Sequence, residues 1–364
     1  MKKILFIIGS MNLGGTEKQL FNILKNLKGF DFEILTLSNI GFFGNELKKK
    51  GIKFNEIPNK NFPFLKRILN LFNKFFKCLV VILKSKPDAI HFLLPQAYIL
   101  GGLTSLLFPK IKKIMSRRSM NYYQKKNLFY KYIEIFLHKR MDEIIVNSKK
   151  IKNQLIKEEY VDNKKITLIY NGVFNSIPLI PKKNKKIVNI LLLANLIPYK
   201  NHEFLIDTCA MLKNKNWKVF FVGHAKPKRY EDLKLRIRRY KLEKNFEFVP
   251  LQLNTYKFLK KADIGVLCSK EEGFSNSILE YMAASLPVIA TDVGGNAEAV
   301  KNNHNGFIIP LNCKKTFLSS LKKLIEKKKI RDIMGQHSRR IIDKKFTSER
   351  CLHKYKDFYL KLLK

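Results

Sequence analysis

Two glutamates, Glu272 and Glu280, are separated by seven residues in a segment whose pattern suits the binding of a phosphorylated ligand. The buried apolar run Ile264–Cys268 predicts a strand, the polar stretch Ser269–Gly273 predicts a turn, and Ser275 is a suitable N-cap for a following helix. The free N–H groups of a first helical turn and the helix dipole attract an anion such as a diphosphate. Each carboxylate can accept two hydrogen bonds from the vicinal diol of a sugar ring. The alternative from spacing alone is that both glutamates are solvated surface charges.

The charge of the chain is extreme: 71 Lys and Arg against 29 Asp and Glu give a formal net charge of +42 over 364 residues. Such a field attracts phosphate-rich partners, including an anionic membrane surface and nucleotides. The alternative is compositional bias, because Lys, Asn, Ile and Phe are all abundant. No recognisable nucleic-acid reader motif is present, so no specific nucleic acid is expected as a partner. The five cysteines form no CxxC pair, which argues against a zinc site or a disulfide framework and favours a cytoplasmic location.

Strand and helix patterns alternate along the chain and predict an α/β fold with two Rossmann-like, doubly wound domains that face a central cleft. The predicted boundaries are an N-terminal domain over 1–174, a linker over 175–186, a C-terminal domain over 187–343 and a C-terminal helix over 344–364 that packs back toward the N-terminal domain. The predicted strands are Lys3–Ile8, Phe32–Leu37, Lys53–Ile57, Ala89–Phe92, Lys113–Ser116, Glu143–Val146, Ile166–Tyr170, Val188–Leu193, Lys218–Val222, Phe246–Val249, Ile264–Cys268, Val288–Thr291 and Phe307–Ile309.

No segment reads as a transmembrane helix. Phe64–Leu83 is nearly long enough, but it contains Arg67, Lys74 and Lys77, and its apolar residues have helical spacing on one face. This pattern predicts a crossover helix packed on the first sheet, or alternatively a partly exposed helix that lies on a membrane surface.

A family resemblance rests on the segment from Glu272 to Gly306. It resembles the signature of the retaining GT-B glycosyltransferases of glycosyltransferase family 4, in which E-G-F-x-x-x-x-x-E precedes a Pro-Val-Ile-Ala-Thr strand and a Gly-Gly turn. The matching residues are Glu272, Gly273, Phe274, Glu280, Pro287, Val288, Ile289, Ala290, Thr291, Gly294, Gly295, Glu298 and Gly306. Further similar segments span almost the whole chain.

The resemblance implies roles for individual residues. Glu272 and Lys200 would be catalytic, Glu272 facing the transferred sugar and Lys200 neutralising the donor diphosphate. Asn195 stands where the family more often has Arg, so one cation of its phosphate loop is missing. The implied donor-binding residues are Glu280, which would hold the ribose, and Gly273, Phe274, Ser275, Asn276, Ser277, Asn195, Gly14 and Gly15.

On the acceptor side the resemblance is weaker. Many relatives have His-x-His where this chain has His91-Phe92-Leu93, and Arg118 resembles an Arg found in one branch of the family. His91 and Arg118 are therefore candidates for contact with the acceptor or a phosphate, with a structural histidine and a surface cation as the alternatives. No Asp-x-Asp motif is present, so no metal and no cofactor is expected.

The implied function is retaining transfer of a hexose or N-acetylhexosamine from a nucleotide-diphosphate sugar, with UDP as the expected nucleotide, to a lipid-linked or lipopolysaccharide acceptor. The enzyme would work peripherally at the cytoplasmic face of an anionic membrane, in bacterial surface polysaccharide synthesis. Two alternatives remain: another GT-B enzyme such as a nucleotide-sugar epimerase, and a basic, non-catalytic protein that binds membranes or nucleic acid.

Overall fold

Parallel strands and crossover helices alternate through a computed structural model that describes residues 1–58, 64–174, 177–178, 186–252 and 254–364, without the side chains of 64–69 and 126. The chain forms two compact units, one of residues 1–172 with 349–364 and one of residues 173–348. Most of the predicted linker, 175–186, lies outside the described residues.

With two helices in succession between its fifth and sixth strands, the first unit alternates strands and helices. They are β1 (Lys2–Ile8), α1 (Gly15–Asn26), β2 (Phe30–Thr36), α2 (Gly41–Lys48), β3 (Lys53–Glu56), α3 (Phe64–Ser85), β4 (Ala89–Leu93), α4 (Pro95–Ser105), β5 (Lys112–Arg117), α5 (Tyr122–Lys126), α6 (Leu128–His138), β6 (Glu143–Val146), α7 (Lys149–Glu158) and β7 (Ile166–Leu168).

The second unit repeats the alternation. Its elements are β8 (Val188–Leu193), α8 (His202–Ala210), β9 (Trp217–Val222), α9 (Pro227–Arg239), β10 (Phe246–Val249), α10 (Tyr256–Lys261), β11 (Ile264–Leu267), α11 (Asn276–Ala283), β12 (Val288–Thr291), α12 (Asn296–Ala299), β13 (Gly306–Ile309), α13 (Lys314–Glu326) and α14 (Lys328–Lys345). The last helix, α15 (Ser348–Leu362), belongs to the first unit almost throughout.

Each unit is built on one parallel sheet. The strand order is β3-β2-β1-β4-β5-β6-β7 in the first and β10-β9-β8-β11-β12-β13 in the second. In both, the order reverses direction beside the first strand of the unit, between β1 and β4 and between β8 and β11. Loops that follow such neighbouring strands leave a crevice at the carboxyl edge of the sheet, which is where ligands bind in doubly wound folds. The doubly wound prediction is confirmed, and all thirteen predicted strands are present, most of them within a residue or two.

The strands form because both of their faces are covered. Residues 4–8 of β1 are all buried, and the side chains alternate between two layers of helices. Leu5 and Ile7 pack with Tyr98 of α4 and Leu137 of α6. In the second unit, Ile190 and Leu192 pack with Phe221 and Phe317 in a comparable core. These two cores fix the positions of the loops at the sheet edges.

Helix α3 differs from the simpler of its two predicted forms, a crossover helix with one buried apolar face. Cys78 and Ile82 are buried against the sheet, but Phe72, Phe76 and Val80 are exposed on the outer side. The helix therefore has two apolar stripes, which helical spacing alone could not distinguish. No helix among the described residues is long and apolar enough to cross a bilayer.

Candidate active site

The loop between β11 and α11 carries most of the predicted donor residues. Ser275 is the N-cap of α11, as predicted, and its hydroxyl accepts a hydrogen bond from the backbone N–H of Ile278 at 3.5 Å. Gly273, Phe274 and Ser275 are buried, and Asn276 and Ser277 open the helix half-buried. The hydroxyl of Ser277 donates to the carbonyl of Leu193 at 2.6 Å and so ties the helix to the end of β8.

Lys200 and Glu272 meet in a short ion pair within this unit. The Lys200 ammonium lies 2.5 Å from the Glu272 carboxylate, which also accepts a hydrogen bond from the hydroxyl of Ser269 at 2.6 Å. Lys200 comes from the turn Pro198–Lys200 after β8, and the backbone N–H of Lys270 donates to the carbonyl of Tyr199 at 2.7 Å. The two loops are thus joined through backbone and side chains.

The charge state of Lys200 is fixed by its surroundings. Burial by itself would lower the pKa of its ammonium, but the attraction and hydrogen bond of Glu272 outweigh burial and raise the pKa above its ordinary value. Lys200 is therefore a permanent, desolvated cation at neutral pH. A desolvated cation interacts more strongly with a phosphate than a hydrated one does.

The turn that follows β12 packs against the Glu272 loop and supports it. Gly294 has φ +54, and a Cβ built there would lie 2.0 Å from the carbonyl oxygen of Glu272. The next N–H, of Gly295, donates to the carbonyl of Gly273 at 2.8 Å, and the Thr291 hydroxyl donates to the carbonyl of Ser269 at 2.6 Å. A residue with a side chain at 294 would meet both backbone strain and a backbone collision. The loop is accordingly held at both ends by the turn that follows β12.

Glu280 lies one turn inside α11 and is half-buried. Its carboxylate accepts a hydrogen bond from the hydroxyl of Thr255 at 2.8 Å. The neighbouring Tyr281 points the other way, into the core, where its hydroxyl accepts from the N–H of Leu193 at 2.6 Å. The carboxylate of Glu280 therefore lies on the outer face of α11, and the buried hydroxyl of Tyr281 holds its inner face to β8.

Asn195 follows β8 and lies beside the end of β9. Its side-chain carbonyl accepts a hydrogen bond from the N–H of His224 at 3.1 Å, and the N–H of Leu196 donates to the carbonyl of His224 at 2.8 Å. Gly223 permits this approach, because a Cβ there would lie 2.1 Å from the Ala194 carbonyl oxygen. Asn195 thus shapes the loop that leads to Lys200.

In the first unit, Gly14 and Gly15 open α1 after β1. Gly14 is the N-cap, and a Cβ at this position would lie 2.1 Å from the carboxylate of Glu17, which folds back over the loop. Burial raises the pKa of Glu17, although its own backbone N–H and the charge of Arg118 act in the opposite direction. A side chain at position 14 would therefore push the Glu17 carboxylate away from the loop.

His91 is buried in β4 with both ring nitrogens engaged. Nδ1 lies 2.7 Å from the hydroxyl of Tyr359 in α15, and Nε2 lies 2.7 Å from the hydroxyl of Ser116 in β5. Burial, with a smaller contribution from the charge of Arg118, lowers the pKa of His91 to about 3. The ring is therefore neutral at pH 7 and links two strands to the last helix.

Arg118 lines a pocket at the carboxyl edge of the first sheet, and the other polar lining residues include Thr16, Ser116, Arg117 and Glu134. Its guanidinium donates to the side-chain carbonyl of Asn171, and the hydroxyl of Tyr355 lies 3.4 Å away. Both partners are neutral groups, so the positive charge is not cancelled by either. The structure thus places Arg118, Gly14 and Gly15 at one edge of the first sheet, and Lys200, Glu272, Glu280 and Asn195 in the second unit.

Arg117 ends β5 beside Arg118, and its side chain is buried in a polar network. Its guanidinium bonds Glu134 at 2.8 Å and Glu159 at 2.6 Å. Glu159 also lies 2.8 Å from His138 Nε2, and the other nitrogen of that ring lies 2.8 Å from the Tyr98 hydroxyl.

The charged groups of this buried network pair with one another. Burial would raise the pKa of Glu159, but the Arg117 guanidinium lowers it to about 2. Glu134, His138 and Glu159 offer ligand atoms close enough together to hold a metal ion, yet Arg117 already bonds both carboxylates. The i, i+4 spacing of Glu134 and His138 was the signal that could have found this cluster in the sequence. Ser269 and Thr255, whose hydroxyls bond Glu272 and Glu280, had no pattern in the sequence that could have identified them.

Two family models match consecutive parts of the chain. The model described as Glycosyltransferase Family 4 matches residues 13–174, and the model described as Glycosyl transferases group 1 matches residues 175–341.

Whole-chain relatives agree with these models. An uncharacterized glycosyltransferase of Methanocaldococcus jannaschii is 28% identical over 362 residues, covering 96% of this chain and 95% of the relative. A UDP-Gal:alpha-D-GlcNAc-diphosphoundecaprenol alpha-1,3-galactosyltransferase of Escherichia coli is 28% identical over 298 residues, 77% of each chain. Among solved structures, Anabaena HepE in complex with UDP-glucose has a TM-score of 0.84 at 18% identity, covering 99% of this chain and 100% of HepE. Since both units are matched in sequence and the fold is matched throughout, the chain belongs to the GT-B glycosyltransferases of glycosyltransferase family 4.

Proposed function

We propose that this glycosyltransferase moves a hexose or N-acetylhexosamine from a UDP-sugar to a lipid-linked glycan, with retention of anomeric configuration. The observation that carries the donor half is the desolvated Lys200–Glu272 pair in the same unit as the capped N-terminus of α11. Together they offer a fixed cation, the positive end of the α11 dipole and a carboxylate for a sugar hydroxyl. Glu280 supplies a second carboxylate for the ribose.

In the proposed mechanism, charge develops on the leaving diphosphate as the glycosidic bond breaks. Lys200 and the N–H groups at the start of α11 stabilise that charge more in the transition state than in the ground state, and this difference is what accelerates the reaction. Glu272 orients the transferred sugar through its hydroxyls. These residues provide positive charge without a metal ion, and we propose that none is required.

The proposed nucleotide and acceptor draw on the relatives. HepE was solved with UDP-glucose, and the Escherichia coli relative is named for a UDP-galactose donor and a diphosphoundecaprenol-linked acceptor. For this chain we propose a UDP-sugar and an acceptor of the same lipid-linked class, used at the cytoplasmic face of a membrane. The Arg118 pocket of the first unit offers a cation for a phosphate of such an acceptor.

The test is a donor panel with the full chain. UDP-, GDP- and ADP-sugars are compared by thermal shift, and nucleoside diphosphate release is followed with and without a diphospholipid-linked sugar. We expect stabilisation by UDP-sugars and release that depends on the acceptor, with the α-anomer retained in the product by NMR. Conversion of the sugar without an acceptor would indicate an epimerase, and binding of no nucleotide sugar would overturn the proposal.

A further inference from the structure

One face of the first unit carries an unusual concentration of exposed apolar side chains. Helices α3, α4 and α6 cover the same side of the sheet, because Cys78 of α3, Tyr98 of α4 and Leu137 of α6 all join one core with β1 and β4. Helix α4 packs against both α3 and α6 and so lies between them. We call the outer surface of these three helices, together with that of α5, which packs against α6, the α3–α6 face.

Nine large apolar side chains are exposed on α3 and α6, among the described side chains. They are Leu71, Phe72, Phe76, Val80 and Leu83 on α3, and Leu128, Phe129, Tyr132 and Phe136 on α6. The most exposed are Phe129 at 71% and Tyr132 at 66%. Apart from the adjacent pairs 71/72 and 128/129, they recur at intervals of three or four residues, which puts each set on one side of its helix. A large apolar patch exposed on the surface of a folded protein marks an interaction site.

The charges around the stripes have one sign. The four helices contain five lysines and arginines in α3, two in α5 and one in α6, against a single acidic residue, Glu134. Glu134 is buried and bonded to Arg117, so it contributes no negative charge to the surface. Cations also flank the exposed rings: Arg140 lies 3.6 Å from the centroid of Phe136, and Lys125 lies 5.6 Å from that of Tyr122.

We propose that the α3–α6 face docks on an anionic lipid surface, with the rings of α3 and α6 inserted at the level of the headgroups and the lysines on lipid phosphates. This chemistry fits because aromatic and aliphatic side chains enter the interface while flanking cations attract anionic lipid. A second copy of the chain fits less well, since an isologous contact would bring two positive faces together. The inference rests on the proposed lipid-linked acceptor and adds the surface that brings the enzyme to it.

Co-sedimentation of the full chain with vesicles tests this docking. Vesicles of phosphatidylglycerol and phosphatidylethanolamine are compared with phosphatidylcholine vesicles at low and high salt. We expect binding to the anionic vesicles only, lost at high salt because the attraction is screened. A chain that stays in the supernatant with anionic vesicles at low salt, or one that binds phosphatidylcholine equally, overturns the inference.

Surface variants then identify the face. Phe129→Gln with Tyr132→Gln should weaken binding at least tenfold, since two rings lose their burial in the interface. Leu235→Gln with Ile333→Gln is the matched control, because these residues are similarly exposed on helices of the second unit. Equal losses in both pairs, or no loss in the first, would overturn the assignment of the face.

A charge pair gives an independent readout. Each cation near an anionic surface strengthens binding about fivefold, so Lys77→Glu with Lys125→Glu should weaken it far more than tenfold. Lys228→Glu with Lys315→Glu changes the net charge equally in the second unit and should have a small effect. A change of oligomeric state in the first pair, read by light scattering, would indicate a second copy as the occupant and overturn the lipid assignment.

UDP-sugar binding by thermal shift separates this inference from the proposed function. All four variants should bind the donor like the wild type, because none of their residues lies in the donor loops. Failure of the wild type to bind any nucleotide sugar would refute the proposed function while the vesicle result stands.

Discussion

Replacing Lys200 by Met tests the centre of the proposed donor site. Methionine keeps most of the length of the side chain and removes the charge, so packing in this buried position is largely preserved. In this variant the Glu272 carboxylate loses its cation and keeps the hydrogen bond from the Ser269 hydroxyl at 2.6 Å. Both side chains of the pair are mostly buried, with exposed fractions of 17% for Lys200 and 11% for Glu272.

The size of the effect follows from the value of a charged hydrogen bond. Such a bond contributes about 1.5–3 kcal/mol, which corresponds to roughly a 10- to 150-fold change in rate. Because negative charge on the diphosphate grows as the bond to the sugar breaks, we expect the loss mainly in kcat, with a smaller change in KM. Stability should fall by about 1–3 kcal/mol, since a buried carboxylate loses its cation.

A double-mutant cycle separates the two effects. In Lys200→Met with Glu272→Gln, the unpaired charge is gone, so the melting temperature should recover toward that of the wild type. Turnover should not recover, since the cation for the diphosphate is still missing. Lys322→Met, an exposed lysine of α13, is the control for loss of a positive charge.

The reasoning is refuted if Lys200→Met turns over normally. The phosphate would then be neutralised elsewhere, with Arg118 as the next candidate. A double variant that regains turnover would show that Lys200 acts by neutralising the Glu272 carboxylate rather than by contact with the donor.

Two further predictions concern Glu280 and His91. Glu280→Ala should raise the Kd for the donor roughly ten- to a hundredfold, because a carboxylate on the ribose diol makes charged hydrogen bonds; calorimetry on a folded variant measures this, and unchanged affinity contradicts the assignment. Thr255→Val is its control, since it removes only the hydroxyl that bonds Glu280 and should cost less. For His91, a folded pKa of about 3 against about 6.5 in the unfolded chain means that stability is full above about pH 6.5 and is lost as pH falls toward 3. Between about pH 7.5 and 5 the free energy of unfolding of the first unit should fall by about 2 kcal/mol because of this group. His91→Gln should remove that part of the pH dependence, measured by denaturant titrations at several pH values. If the variant and the wild type depend on pH equally, His91 protonates freely in the folded state.

The fold was readable from the sequence because buried parallel strands are continuous apolar runs. Val188–Leu193 and Phe246–Val249, both mostly apolar, have the predicted bounds. The N-cap at Ser275 was readable for a similar local reason. Features that depend on a single strand, turn or cap are encoded within a few residues.

The features that were not readable depend on which elements pack together. Arg117 and Arg118 are adjacent, chemically alike and both at the edge of one pocket, yet Arg117 is bonded to carboxylates from α6 and the end of α7 while Arg118 bonds the neutral side chains of Asn171 and Tyr355. Strand alternation sends them to opposite faces, but the partners Glu134 and Glu159 are supplied by distant helices. The same holds for α3, whose second apolar stripe around Phe76 has no covering element among the described residues of its unit.

The assigned roles of several residues remain predictions after the structure is known. The ring of His91 bonds two hydroxyls and has a structural function in the first unit, and the amide of Asn195 shapes its loop. Ser277 likewise bonds the backbone of β8. For Asn195 and Ser277 these contacts are compatible with a second contact to a ligand, which kinetic variants must establish, whereas both ring nitrogens of His91 are already engaged.

The spacing of the family signature follows from one backbone contact in the second unit. Glu272 and Gly294 are 22 residues apart in the sequence, yet the glycine lies against the carbonyl of the glutamate so closely that no Cβ fits between them. The intervening chain is one helix and one strand, α11 and β12, which is the shortest path that returns to the same edge of a parallel sheet. The Gly-Gly turn is therefore part of the same site as the carboxylates: it supports the loop that holds Glu272 beside Lys200. A side chain at position 294 would displace that loop without touching any ligand, so the signature combines residues for chemistry with residues for the backbone that positions them.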